Sequence, residues 1–375
     1  MKEREGAKSY HQFKTRLFYA GLALDVFLLV LLWTSGFSLT LRQLAFEVFS
    51  PVVAARGVYI FLFFLVFYLV HFPISWGQGF LLEHRFRLSR QSFSSWLKDD
   101  LKKAALGGGF LILVVETAYL FLDRFPRTWW VGAGAFYVFL SLILARVMPL
   151  VIIPLFFKYT PIEDEALKRK IFSLFEKCRI PLKDIYAIDL STKTKKANAF
   201  VCGLGRQRRV VLTDNLISQF SHEEIGAVVA HELGHYVHRD TIKLVIINGA
   251  MIFFAFFAAG QVLEVWLAWA GGFAMNDIAT FPILALTMAV LGFVTTPALN
   301  AFSRYLEVNA DRFSLEATQA PSVFISMMEK LGNLNLAEWS PGRFDEIMFY
   351  DHPPIFRRIA FAENFKKGGT RLEDS

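Results

Sequence analysis

The sequence predicts a mainly α-helical, polytopic membrane protein of about six spans, with a small α+β domain at the cytoplasmic face. Three observations carry that expectation. Of the 375 residues 54% are hydrophobic, 40 are phenylalanine and the mean hydropathy is +0.40, which is too apolar for a soluble globular chain. Six apolar stretches, about 17–37, 57–76, 104–123, 129–153, 242–269 and 280–302, are each long enough to cross a hydrocarbon core of about 30 Å. Between the fourth and fifth lies a polar segment with mixed helix and strand signals.

Lysine and arginine in the short loops set the orientation. The N-terminal arm carries Lys2, Arg4, Lys8, Lys14 and Arg16, and the loop at 77–103 carries Arg85, Arg87, Arg90, Lys98, Lys102 and Lys103. The loops between hold Arg42 and Arg56, then Arg124 and Arg127, then none at 270–279. The N-terminus, the 77–103 loop, residues 154–241 and the C-terminus therefore share the cytoplasmic side. The net charge of +7 is largely this asymmetry, read as a preference for anionic headgroups; no nucleic-acid partner is implied.

Residues 1–153 read as a bundle of four spans with a polar, basic elbow at 77–103. The first stretch is too long, and lacks the small-residue cleavage site, to be a removable signal peptide. In 154–241 a helix at about 163–179 is opened by Thr160-Pro161 and the acidic Glu163, Asp164 and Glu165, and stopped by Pro181. A strand follows at about 184–190, and Ala199–Val201 and Val210–Leu212 read as two strands joined across Gly203–Arg209. Ser221 and Glu224 form a capping box that starts the next helix. Residues 242–302 hold the last two spans. In 303–360 the sixth span runs on through Leu306 and Ala310, followed by an amphipathic helix near 321–332, a loop at Trp339–Phe349 and a helix from about 353. The tail, 361–375, is charged and glycine-containing from Lys366 onward and is expected to be disordered. Cys178 and Cys202 fall on the cytoplasmic side, where they act as free apolar fillers.

The capped helix carries His231-Glu232-Leu233-Gly234-His235. Histidines four apart lie one turn apart on one face, so both imidazoles reach one Zn²⁺. Glu232 between them is placed to take a proton from a water at that metal. A zinc hydrolase needs three protein ligands and one open position. The topology demands a third ligand on the cytoplasmic face near the end of another span, and Glu307 meets that demand. Asp311, one turn later, is placed to accept the N–H of a ligand histidine and fix its tautomer.

Several further motifs resemble the integral-membrane CaaX prenyl endopeptidases of the zinc-metalloprotease type, over most of residues 70–360. They are Ile153-Pro154-Leu155-Phe156 with Lys158–Pro161, Ala197-Asn198-Ala199-Phe200-Val201 with Arg209–Asp214, Ser303–Asp311, and His352-Pro353-Pro354 with Arg358. The resemblance implies an α+β zinc metalloprotease domain and a water-filled chamber enclosed by the spans. It implies that Asn198 and Ala199 bind the substrate backbone as an added strand, that His352 donates to the oxyanion, and that Arg358 supports that loop or the substrate. The implied partner is a peptide or protein substrate, prenylated at its C-terminus. There are departures. Six spans stand against the seven of eukaryotic members, Asp351 stands where Ser or Thr is usual, and Arg87 occupies what is often a glycine in the elbow Glu83–Ser89.

His238 lies on the face of His231, but three ligands from consecutive turns of one straight helix cannot surround a metal, so it is read as a surface or supporting residue. His71, next to Pro73, is read as a helix-end group. Asp25 and Glu116 within spans, and Arg146 near the end of one, are expected either to pair with each other or to face a watered chamber. The short N-terminal region and compact loops suggest a bacterial inner membrane, with the endoplasmic reticulum as the eukaryotic counterpart. Two substrate roles compete, C-terminal CaaX processing and quality control of membrane proteins. A transporter or silent scaffold is disfavoured, since broken paired repeats are missing and a purely structural metal has no use for Glu232.

Overall fold

A computed structural model describes residues 2–203 and 205–367 of the chain. Among the described residues, six helices are long and apolar enough to cross a membrane: Glu5–Thr34, Val52–Arg85, Phe93–Arg124, Trp129–Leu155, Asp240–Ala270 and Ile278–Thr318. Each contains one of the six apolar stretches or nearly so, and most run beyond it, because a helix does not stop where its side chains become polar. The elbow at 77–103 is accordingly not a loop. The second span continues through a π-turn at Gly77–Leu82 to Arg85, and the third begins at Phe93.

Arg87, in the short break between these helices, has φ 56°. This left-handed conformation favours glycine, which has no side chain to strain. Arg87→Gly removes strain of about 1–2 kcal/mol, partly offset by about 0.5–1 kcal/mol of extra unfolded-state freedom. A thermal melt should show equal or slightly higher stability; a melting temperature lower by several degrees would contradict this account.

The spans pack around a core of Tyr59, Ile60, Phe63, Tyr119, Leu122, Trp129, Phe256, Ala259 and Phe281. A twelve-residue helix not anticipated from the sequence, Phe37–Val48, lies between the first two spans. It buries Ser38, Leu41 and Ala45 on one face, and Ser38 Oγ donates to the carbonyl of Ala279 at 2.7 Å. Of the two readings left open for the intramembrane charges, mutual pairing of Asp25, Glu116 and Arg146 is not what the fold shows. Glu116 lies 3.5 Å from the buried Arg56, which also meets Asp123 at 2.8 Å. Asp25 faces His71 at 3.3 Å, so His71 is not merely a helix-end group. Arg146 is exposed.

The polar segment folds as a four-stranded sheet, β1 (Tyr159–Pro161), β2 (Asp184–Ile188), β3 (Ala199–Cys202) and β4 (Arg209–Thr213), in the order β1-β2-β4-β3. β3 and β4 are antiparallel, β2 and β4 parallel, and β1 is antiparallel to β2. β3 therefore has one open edge. β1 escaped the sequence reading because three residues ending in proline carry little strand signal. The helix expected at 163–179 runs Glu165–Lys177, and Asp164 is its N-cap, accepting from the Leu167 N–H at 2.9 Å. A second core joins this sheet to the helices behind it through Leu167, Ile171, Phe175, Val210, Leu212, Ile225, Val229, Leu233, Phe324 and Met327.

Three helices follow the sixth span: Pro321–Leu334, Arg343–Phe349 and Ile355–Lys366. The second corrects the loop expected at Trp339–Phe349. The third carries helical structure through 361–366, where the tail had been expected to begin; residues 368–375 lie outside the described residues.

Candidate active site and metal centre

The helix His222–Val237 begins at the expected capping box. Ser221 Oγ accepts from the Glu224 N–H, and the Glu224 carboxylate accepts from the Ser221 N–H at 2.8 Å. Glu224 also receives Ser326 and Lys330, both at 2.7 Å, which ties the start of this helix to Pro321–Leu334. Near its other end His231 and His235 project side by side, their rings perpendicular and 4.8 Å apart.

Glu307 comes from the helix Phe281–Thr318, which crosses very close to the first. A Cβ on Gly234 would lie 3.1 Å from Ala310 Cα and 3.1 Å from Phe313 Cβ, so glycine is what permits the approach. Ser314 Oγ pins the crossing by donating to the Ala227 carbonyl at 2.8 Å. Gly234→Ala is expected to push the helices apart, and because misplacement by about 1 Å can cost about 10²-fold, turnover should fall by that order. Peptide cleavage at wild-type rate by this variant would contradict the packing argument.

His231 Nε2 lies 3.2 Å from Glu307 Oε2, His235 Nε2 lies 3.2 Å from Glu307 Oε1, and the two Nε2 atoms are 3.2 Å apart. Each Nδ1 faces a carboxylate: Asp311 Oδ1 at 2.8 Å from His231, Asp240 Oδ2 at 2.9 Å from His235. With the Nδ1 protons held there, two imidazole lone pairs and a carboxylate converge on one point without a donor between them. Such a group repels itself unless a proton or a metal cation sits among it. Among the described residues Glu307 Oε2 is buried without a hydrogen-bond partner. The three potential ligand atoms lie within 4.8 Å of one another, and two imidazoles with a carboxylate suit zinc or a similar transition metal.

Beside His231 and Glu232 lies a cavity of about 330 Å³. Asn198, Ala199, His231, Glu232, His352 and Arg358 line it, over apolar walls of Val228, Met327, Met328 and Leu331. Burial pushes the Glu232 carboxyl up, against the pull of His231 and His235. Burial also opposes charge on His231, but the carboxylates of Asp311 and Glu307 beside it outweigh that and push the group up to about 9. Metal uptake there displaces a proton. Asn198 sits just before β3, its backbone exchanging hydrogen bonds with Thr213: Thr213 N–H donates to the Asn198 carbonyl and Asn198 N–H to Thr213 Oγ1, both at 3.0 Å. Asn198 and Ala199 both line the cavity, so the start of β3 borders it.

His352 Nε2 is 3.2 Å from Glu307 Oε1, and its Nδ1 is 2.8 Å from Asp351 Oδ1. Its loop is held by the sixth-span helix, where Arg304 donates to the carbonyls of Tyr350 (2.6 Å) and Glu346 (2.9 Å) and Asn300 to that of Met348 (2.8 Å). Arg358 grips Asp311 with both ends of its fork, Nε at 2.7 Å and Nη2 at 2.6 Å. It thus braces the partner of His231 and also lines the cavity. His238 stands apart from this cluster, packed against Phe313 with ring centroids 5.9 Å apart. Cys178 and Cys202 are free, and burial pushes both thiols up, as in inert fillers.

Residues 161–366 match the family model for peptidase family M48, and residues 2–158 match that for the CAAX prenyl protease N-terminal region with five membrane helices. The chain belongs to peptidase family M48. It is an integral-membrane metallopeptidase that acts on peptide bonds. Four of the spans and the helix Phe37–Val48 occupy the stretch matched by the five-helix model. The metalloprotease YhfN of Bacillus subtilis is 30% identical, over 95% of this chain and 84% of its own. The probable CAAX prenyl protease 1 of Schizosaccharomyces pombe is 29% identical, over 80% of this chain and 64% of its own. The crystal structure of Ste24p from S. mikatae shares the fold with a TM-score of 0.85 at 22% identity, over 96% of this chain and 89% of that one.

Sequence reading missed Asp240 and the roles of Asn300 and Arg304 in holding the His352 loop. Asp240 is five residues from His235, outside the three- and four-residue spacing that brings side chains together on one helix. Only the break after Val237 brings it back.

Proposed function

We propose that this M48 metallopeptidase is a zinc endopeptidase that trims prenylated C-terminal segments at the cytoplasmic face of its membrane. His231, His235 and Glu307 would hold the metal, and Zn²⁺ bound there supplies a Lewis acid that polarises the scissile carbonyl and acidifies water. Glu232 takes the proton from the attacking water and returns it to the leaving amine. His352 Nε2, on the same side as Glu307, donates to the oxygen that becomes an oxyanion. Asn198 and Ala199 bind the substrate main chain along the open edge of β3. Asp311 and Arg358 hold His231 in place from behind.

The observation that carries this reading is the convergence of two imidazoles and Glu307 on one point, beside Glu232 and the start of β3 in the same cavity. The prenyl requirement is supported by similarity to relatives named as CAAX prenyl proteases. A watered chamber among the spans would receive the lipid, and the basic arm and elbow support the cytoplasmic orientation. A bacterial inner membrane is supported by the Bacillus subtilis relative.

Matched farnesylated and unmodified CaaX peptides, offered to zinc-loaded enzyme, test this reading. Cleavage of the farnesylated peptide alone is expected, lost with a chelator and restored by zinc. Equal cleavage of both peptides would remove the prenyl requirement and favour a broad quality-control role. Cleavage of neither would overturn the substrate assignment.

A further inference from the structure

One buried carboxylate outside the residues given roles above faces the centre. Asp240 is 2% exposed and opens the helix of the fifth span. Its two oxygens meet two different donors. Oδ2 lies 2.9 Å from His235 Nδ1, and Oδ1 lies 2.9 Å from Lys243 Nζ. In an unbroken helix a residue five positions on would point well away from His235. The chain instead breaks at Arg239, with φ 57° and ψ 37°, a left-handed conformation that a residue with a side chain disfavours. Strain of this kind persists where the surroundings over-determine it. Here its effect is to swing Asp240 back beneath His235.

A plainer account is an acid placed in the first turn of a helix to meet its dipole. An exposed Asp would serve that purpose as well, and it explains neither the burial nor the contact with an imidazole.

We propose that Asp240 is a metal-positioning residue: it holds the Nδ1 proton of His235, so that Nε2 keeps its lone pair for the metal, and it builds the start of the fifth span into the metal centre. This rests on the reading of His235 as a ligand. An aspartate is required because His235 and Lys243 both donate. An asparagine has one acceptor oxygen and would turn an NH₂ towards one of them.

Zinc affinity, measured by competition with a chelator, tests this with four proteins beside wild type. Asp240→Asn should bind zinc about 10–100-fold more weakly, the usual loss when a ligand histidine loses its partner. Lys243→Met should bind as wild type does. The double variant Asp240→Asn, Lys243→Met should regain most of the loss, because the single carbonyl is then free to turn to His235; a general weakening of the fold predicts no such rescue. His235→Ala should lose the metal. Wild-type affinity in Asp240→Asn, or no rescue in the double variant, overturns the inference while the ligand assignment stands. Wild-type affinity in His235→Ala overturns the assignment itself. Nitrogen-15 spectra of histidine-labelled, zinc-loaded wild type need no variant: both metal-bound imidazoles should carry a proton on Nδ1, and a bare Nδ1 overturns the inference.

Discussion

Glu232→Gln is expected to leave zinc content unchanged and to lower peptide turnover by about 10²–10⁴-fold, the range of a general acid–base group. Glutamine fills the same space beside His231 and His235 but cannot take a proton from water. Turnover per bound zinc is the quantity to measure. An active Glu232→Gln protein would place the proton transfer elsewhere in the cavity.

Asp311→Ala has the largest expected effect on stability. Asp311 accepts both arms of Arg358 and the Nδ1 of His231, and the side chains of Asp311 and Arg358 are 2% and 11% exposed. Removing the acid strands a buried guanidinium. Breaking a buried pair on one side costs about 3–5 kcal/mol, and loss of the histidine partner should weaken zinc binding about 10–100-fold. Melting of the purified protein should show the first effect and chelator competition the second. Arg358→Met should be milder in zinc affinity, since it leaves Asp311 to hold the imidazole. If Asp311→Ala melts as wild type does, the pair is not the brace described here.

The six apolar helices were legible because hydropathy acts over some twenty residues at a time, and six such stretches could hardly be read otherwise. The grouping of His231, His235 and Glu307 was legible for a different reason. His231 and His235 are four apart on one helix, and Glu307 and Asp311 repeat that spacing on another, so local periodicity already sets the faces. What stayed hidden depends on long-range geometry. Asp240 reaches His235 only through the left-handed Arg239, and Arg304 holds the His352 loop from a helix 46 residues away from Tyr350. The partner of Asp25 was hidden too, because the contact with His71 spans two helices that sequence alone cannot pair. Phe37–Val48 went unseen because twelve residues of mixed polarity resemble a loop as much as a helix. The reach of the second span past Trp76 shows the same limit: hydropathy marks where the bilayer ends, while backbone hydrogen bonding decides where the helix does.

Everything proposed about chemistry depends on Glu307 completing the metal centre from a second helix. The most direct test is zinc per chain in purified wild type and Glu307→Ala after dialysis against a weak chelator. About one zinc per chain in wild type and little in the variant is expected for a three-ligand site. A full equivalent retained by Glu307→Ala would contradict the assignment and send the search for the third ligand elsewhere.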